Sequence, residues 1–322
     1  MSRGIALLLI ATTAAAFLLS LLLPWSSIVG LLRQDTSLAT AVFVELRLPR
    51  ALLALIYGVT LGASGAAIQA LFANPLASPD LTGTTSGAAL GAVVTAYLLE
   101  FSAPLALSGG AVVGALGALG LLLVLAGPRA ETSTLLLAGL AISALAGALT
   151  TLALALAPSP FAFYDAYDWL MGSLVDRSLA QAVFALVPAL VSTILLLRLV
   201  PALDSLALGE ESAQAMGYDI RRTRLWVVAL SALGVGGCVA ICGAIGFVGL
   251  VAPIFARRLT GGHPGRAIVP AGLIGGALLL AADLTVRAAP VGRTLPIGVV
   301  TAMLGAPFFL FLVLRMRRSL AA

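Results

Sequence analysis

The chain contains no lysine: all 18 of its basic residues are arginine, set beside 13 acids, one histidine (His263) and two cysteines (Cys238 and Cys242) in 322 residues. Each shortage excludes a chemistry. A phosphate-binding loop of the G-x-x-x-x-G-K-[ST] type needs its lysine, Schiff-base catalysis needs another, and an H-E-x-x-H zinc helix needs two histidines. Charged residues make up 10% of the chain and apolar ones 61%, against about 25% and roughly 45–50% in an average soluble domain. With a mean hydropathy of +1.13, a soluble globular fold is excluded. The two cysteines stand four apart in an apolar run, which places them on one helix face as packing residues rather than as a disulfide or a metal pair. No basic stripe interleaved with aromatics accompanies the net charge of +5, so the excess charge does not point to nucleic acid.

What the chain does have is long apolar runs. The uncharged stretch from Thr132 to Ala162 by itself exceeds the roughly 20 residues that cross a bilayer as a helix. The expected class is an all-α polytopic membrane protein forming one transmembrane domain over residues 1–322, with no catalytic residues, resident metal or cofactor. Spans are expected near 5–23, 51–71, 86–100, 104–126, 134–157, 182–200, 226–243, 246–259, 268–287 and 295–314. The first run reads as a span rather than a secretory signal, because Pro24-Trp25 follows it without a small-residue cleavage site. The uncharged segment Leu225–Ala256 would make a helix of ~48 Å in a ~30 Å apolar core, so it must break, and Gly243-Ala-Ile-Gly246 is the natural place.

That break gives ten spans, and the arginines support it. Twelve then fall on the cytoplasmic side and six (Arg33, Arg47, Arg50, Arg177, Arg287 and Arg293) outside, as the positive-inside rule requires, with both termini cytoplasmic. The pairs Gly58-x-x-x-Gly62, Gly87-x-x-x-Gly91, Gly110-x-x-x-Gly114 and Gly272-x-x-x-Gly276 predict close helix contact. Between spans 6 and 7 lies the longest polar segment, 201–224, with four acids and three arginines. Its pattern predicts a helix over Leu206–Met216 ended by Gly217 in the left-handed conformation, and a second short stretch from Tyr218. Such a pair suits docking of a soluble partner, although composition alone leaves a solvated loop equally open.

Several motifs, in order along the chain, resemble one family. Glu45-Leu-Arg-Leu-Pro-Arg50, Gly65-Ala-Ala-Ile-Gln-Ala-Leu-Phe-Ala-Asn-Pro-Leu-Ala77 and Gly83-x-x-Ser-Gly-Ala-Ala-Leu-Gly91 are similar to the opening signatures of the FecCD permeases. Gly209-Glu-Glu-x-Ala-x-x-Met-Gly217, Gly243-x-Ile-Gly-Phe-Val-Gly-Leu-Val-Ala-Pro253 and Leu295-Pro-Ile-Gly-Val-Val-Thr-Ala-Met-Leu-Gly-Ala-Pro-Phe-Phe309 resemble the later ones. Those permeases serve ABC importers of iron–siderophores, haem and cobalamin in the bacterial inner membrane.

The resemblance implies the type II importer fold, with spans 2–5 and 7–10 as inverted repeats, and three protein partners: a second permease subunit, identical or closely related, a cytoplasmic ATP-binding subunit that hydrolyses the ATP, and a periplasmic substrate-binding protein. It makes 201–224 the coupling segment, with Gly209, Glu210, Glu211, Ala213, Met216, Gly217 and Arg221 facing the ATPase. It makes Arg47, Arg50 and Arg287 the groups that meet glutamates of the binding protein, where the residues alone equally suit interfacial helix anchors. The loops Asn74-Pro-Leu76 and Glu131-Thr132-Ser133 become the cytoplasmic gate, with Asn74, Leu76, Thr132 and Ser133 as its residues. Asp283, four residues before Arg287, is expected to pair with it. Trp169-Leu-Met-Gly-Ser-Leu-x-x-Arg-Ser178 looks more like siderophore permeases than cobalamin ones, so a ferric siderophore is the expected cargo, with haem second and cobalamin third. A secondary transporter would need more buried acids than Asp283, and an intramembrane enzyme would need a nucleophile–base pair that the spans do not offer.

Overall fold

A computed structural model describes residues 3–24, 35–101, 103–127, 132–157, 159–289 and 295–320. Among these every regular element is helical. The first is α1 (Arg3–Leu22); α2 (Thr36–Ala41) runs through a π-helical turn at Val42–Arg47 into α3 (Leu48–Leu71). A 3₁₀ turn at Pro79–Thr82 leads to α4 (Thr84–Tyr97), followed by α5 (Pro104–Ala126), α6 (Thr132–Ala155), α7 (Pro160–Leu170) and α8 (Leu179–Arg198). Two short helices, α9 (Val200–Leu206) and α10 (Glu210–Ala215), precede α11 (Ile220–Cys242) and α12 (Val248–Leu259). After a 3₁₀ turn at Gly265–Ala267 come α13 (Ile268–Ala288) and α14 (Ile297–Leu320).

Each expected span falls on a helix, but the lengths differ. Seven helical stretches among the described residues are long and apolar enough to cross a membrane. The other three expected spans fall on shorter apolar helix: α4 has 14 residues, α12 has 12, and the apolar part of α14 is Ile297–Phe311. At 1.5 Å per residue α12 reaches only ~18 Å, short of the ~30 Å core. The expected break is present, since α11 stops at Cys242, Gly243 takes φ +72° and Phe247 φ +66°, and helix resumes at Val248.

The bundle is centred on α3 and α11, whose most apolar windows are 78% buried, against 17% for α1 at the rim. Glycine sets the closest approaches. A Cβ added at Gly58 or Gly62 would overlap the backbone carbonyl of Gly275 or Ala271 on α13, and one at Gly91 or Gly114 would overlap Gly110 or Gly87 across the α4–α5 contact. The four predicted glycine pairs therefore meet one another, Gly58/Gly62 with Gly272/Gly276 and Gly87/Gly91 with Gly110/Gly114. Cys238 and Cys242 are fully buried in the core formed by α3, α8, α11 and α13.

Candidate functional site: two polar ends and an unwound centre

At the end expected to face outward, one buried carboxylate organises the arginines. Asp283 on α13 is 0% exposed and lies 2.8 Å from Arg50 Nε through Oδ1 and 2.5 Å from Arg287 Nη2 through Oδ2. The expected i,i+4 pair is present, and Arg50, from the N-terminal turn of α3, joins it. An isolated acid at this depth is expensive, and two guanidinium groups from two helices offset that cost. Arg287 Nη1 also donates to the Ser20 carbonyl oxygen at 2.7 Å.

Arg47 is likewise turned inward. Its Nη1 donates to the carbonyls of Leu21 and Leu23 at 3.0 and 3.1 Å, at the C-terminal end of α1. Those carbonyls have no intrahelical partner and sit at the negative end of the helix dipole, a site that favours a cation. The three arginines thus come together, but Arg47 and Arg287 tie the end of α1 to α3 and α13 instead of projecting freely. Arg50 differs. Its Nε is taken by Asp283, while its two Nη groups have no acceptor among the described residues. Arg33 and Arg293, also expected outside, lie outside the described residues.

At the opposite end, expected to be cytoplasmic, the segment 201–224 holds two short helices, though not divided as expected. The break falls at Leu208-Gly209, where Gly209 takes φ +99°, so the helices are α9 and α10. Gly217 does end α10 in the left-handed conformation, φ +89°, with Tyr218 N–H closing on Ala213 O. Directly afterwards Asp219 caps α11 by accepting from Arg222 N–H at 3.0 Å. The expected second stretch is therefore the start of span 7 itself.

Among the residues assigned to coupling, Ala213 is fully buried and pins α10 to the body, while Glu211 and Arg221 are exposed. Leu208 and Met216 stand 69% and 51% exposed on this polar face. Two ion pairs set its position. Glu210 pairs with Arg224 of α11, and Asp204 of α9 accepts from Gly265 N–H at 2.8 Å while pairing with Arg266 at 3.3 Å. Asp204 thereby connects the segment to the turn that starts α13, a link between residues 61 apart.

The loop after α3, expected to be part of the gate, is built tightly. Asn74 Oδ1 accepts from Leu76 N–H at 2.9 Å, and Gln69, fully buried, donates to Leu250 O on α12 at 3.1 Å. Just beyond it Asp80 Oδ1 accepts from Thr85 at 2.8 Å, and Ser143 of α6 donates to Asp80 O. Burial raises the Asp80 carboxyl above its ordinary value, against the lowering effect of the Thr85 hydroxyl. Ser133 is exposed at the start of α6. Glu131 and the side chain of Thr132 lie outside the described residues.

Between the ends, three irregular segments converge. Ser173 N–H donates to Cys242 O at 2.8 Å and Ile297 N–H to Gly172 O at 3.1 Å, joining residues 171–173, 242–247 and 295–298. Tyr57 of α3, fully buried, braces the middle one: its hydroxyl donates to Gly243 O at 3.0 Å and accepts from Ile245 N–H at 3.3 Å. Non-helical backbone at membrane depth persists only where its polar groups find such partners.

An apolar helical bundle with an arginine cluster at one end and a pair of short helices at the other has the form of a membrane transport subunit. The chain belongs to the FecCD transport family, whose sequence model matches residues 7–315. It is 40% identical over 291 residues, 87% of this chain and 85% of the relative, to the vitamin B12 import system permease BtuC of Vibrio cholerae. It is 38% identical to the hemin transport permease HmuU of Yersinia pestis (86% of this chain, 84% of the relative) and 37% identical to the Fe(3+) dicitrate permease FecD of Escherichia coli (86% of each). Among solved structures, a metal-chelate type ABC transporter in an inward-facing conformation matches with a TM-score of 0.86 and 30% identity, covering 98% of this chain and 100% of that one. The protein is accordingly an ABC importer permease, a transport component rather than an enzyme.

Proposed function

We propose that this permease carries a ferric siderophore across the inner membrane, between a periplasmic binding protein and a cytoplasmic ATPase, as one of two permease subunits. The observation that carries the reading is the pairing of two unlike polar ends on one FecCD chain. Outside, Arg50 and Arg287 share a single carboxylate with Arg47 near enough to act on Arg287, an excess of cationic charge that suits an acidic partner. Inside, 201–224 presents exposed Leu208 and Met216 between buried anchors, as a surface that seats in a soluble protein would. Asn74, Leu76, Thr132 and Ser133 then gate the cytoplasmic exit. The siderophore assignment rests on the Trp169–Ser178 stretch and on the iron-citrate and metal-chelate relatives.

A second cargo, cobalamin, is favoured by the 40% identity to the Vibrio cholerae permease. The deciding experiment is uptake by proteoliposomes holding the permease, its ATPase and its binding protein, supplied in turn with ferric siderophores, cobalamin and haem. Accumulation of a ferric siderophore supports the proposal; accumulation of cobalamin or haem alone overturns the cargo.

A further inference from the structure

The arginines of the outer cluster are bound unequally, and the inequality defines a role for Asp283. Arg47 spends its Nη groups on the carbonyls of Leu21, Leu23 and Pro24. Arg287 spends its own on Ser20 and on Asp283 Oδ2. Arg50 alone is held by Nε, at 2.8 Å from Asp283 Oδ1, and its side chain keeps 19% exposure against 12% for Arg287. A guanidinium gripped at Nε has its position fixed, and its Nη1/Nη2 edge stays available for a second carboxylate in the bidentate geometry that arginine favours.

Asp283 is well placed to fix that geometry. Its carboxylate is wholly buried, and its helix, α13, is locked to α3 by the glycine contacts Gly58–Gly275 and Gly62–Ala271. The spacing between Asp283 and the backbone carrying Arg50 is therefore set by a helix pair whose backbones nearly touch. Arg287 Nη2 lies 2.5 Å from the other carboxylate oxygen, so the acid faces a guanidinium on each side.

We propose that Asp283 is a positioning residue for docking of the periplasmic binding protein: it holds Arg50 by Nε so that the Nη edge faces an incoming carboxylate. The inference rests on the reading of Arg50 as a docking group. It yields an unusual sign. Simple electrostatics says that removing a negative charge from a cationic patch strengthens binding of an acidic partner. A positioning role says that Asp283→Asn weakens it, because one of the two oxygens that each face a guanidinium becomes an uncharged NH2 donor that cannot accept, and Arg50 loses its fixed orientation.

The test measures binding of the purified cognate binding protein to the permease–ATPase complex in nanodiscs, across a salt series. Asp283→Asn is expected to weaken binding about tenfold or more, the scale of one charge-assisted hydrogen bond, with a salt dependence no shallower than wild type and with partial recovery in Asp283→Glu. Arg50→Lys, which keeps the charge but has no second edge, is expected to show the same loss and serves if Asp283→Asn does not insert. Equal or tighter binding by Asp283→Asn, or wild-type binding by Arg50→Lys, overturns the proposal. If Arg50→Gln binds as well as wild type, Arg50 is no docking group, and the docking reading falls together with this one.

Discussion

Replacing Tyr57 by Phe removes one oxygen atom and two hydrogen bonds, and both lost partners belong to the unwound segment between α11 and α12. The ring is fully buried, so its packing survives while Gly243 O loses its donor and Ile245 N–H its acceptor. A buried polar group left unsatisfied costs about 1–3 kcal/mol, whereas interhelical side-chain bonds in membranes average only about 0.6 kcal/mol because the unfolded chain finds substitutes. The higher range applies here. The groups affected are backbone atoms of the unwound segment 243–247, outside the regular hydrogen bonding of α11 and α12. The Ile245 N–H bond is long at 3.3 Å, which keeps the expected total near 2–3 kcal/mol rather than twice the single-group value. Reversible unfolding in mixed micelles reads this loss, and hydrogen exchange at Ile245 localises it. A change below about 0.5 kcal/mol, with Ile245 exchange unaltered, would refute the idea that Tyr57 braces the break.

Further outcomes follow from the two ends and the helix contacts. Gly62→Ala should destabilise the bundle by about 1–3 kcal/mol or prevent insertion, since the added methyl overlaps the Ala271 carbonyl; thermal unfolding in detergent checks it. Arg47→Gln should lower stability through loss of the charged donor at the end of α1 while leaving binding-protein affinity within about threefold, whereas Arg50→Gln should weaken binding about tenfold or more and, because it leaves the buried Asp283 with Arg287 alone, lower stability as well; paired unfolding and binding measurements separate the two. Replacing Gly209–Gly217 by a flexible linker should leave insertion intact and disconnect ATP hydrolysis from uptake; unchanged uptake with unchanged ATPase retention would remove the coupling role.

Much of this architecture was legible in the sequence because it is written in local terms. Apolar run length placed the helices and demanded a break near Gly243, which the distribution of arginine across the loops supported. The i,i+4 spacing announced the Asp283–Arg287 pair, and glycine spacing announced which faces approach closely. What stayed hidden is pairing between distant residues. Arg50 lies 233 positions from Asp283, Asp204 lies 61 from Gly265, and Tyr57 lies 186 from Gly243, so no periodicity connects them. Tyr57 reads along the chain as one more core aromatic, and only the carbonyl and N–H set against its hydroxyl reveal its task. The division of the polar segment was misplaced because alanine and leucine around 206–208 favour helix, while Gly209 at φ +99° stops it. The short helix α12 was misjudged for a related reason: apolar composition does not reveal how far unwinding at 243–247 shortens a span.

The central claim is that this permease supplies the path while a separate ATPase supplies the energy. Proteoliposomes reconstituted with the permease, its ATPase and its binding protein test it directly, by following accumulation of an iron-loaded siderophore with ATP inside and with proton or sodium gradients imposed instead. The account predicts accumulation that requires ATP, the ATPase and the binding protein together. Accumulation driven by an ion gradient, in vesicles holding the permease alone, would contradict it.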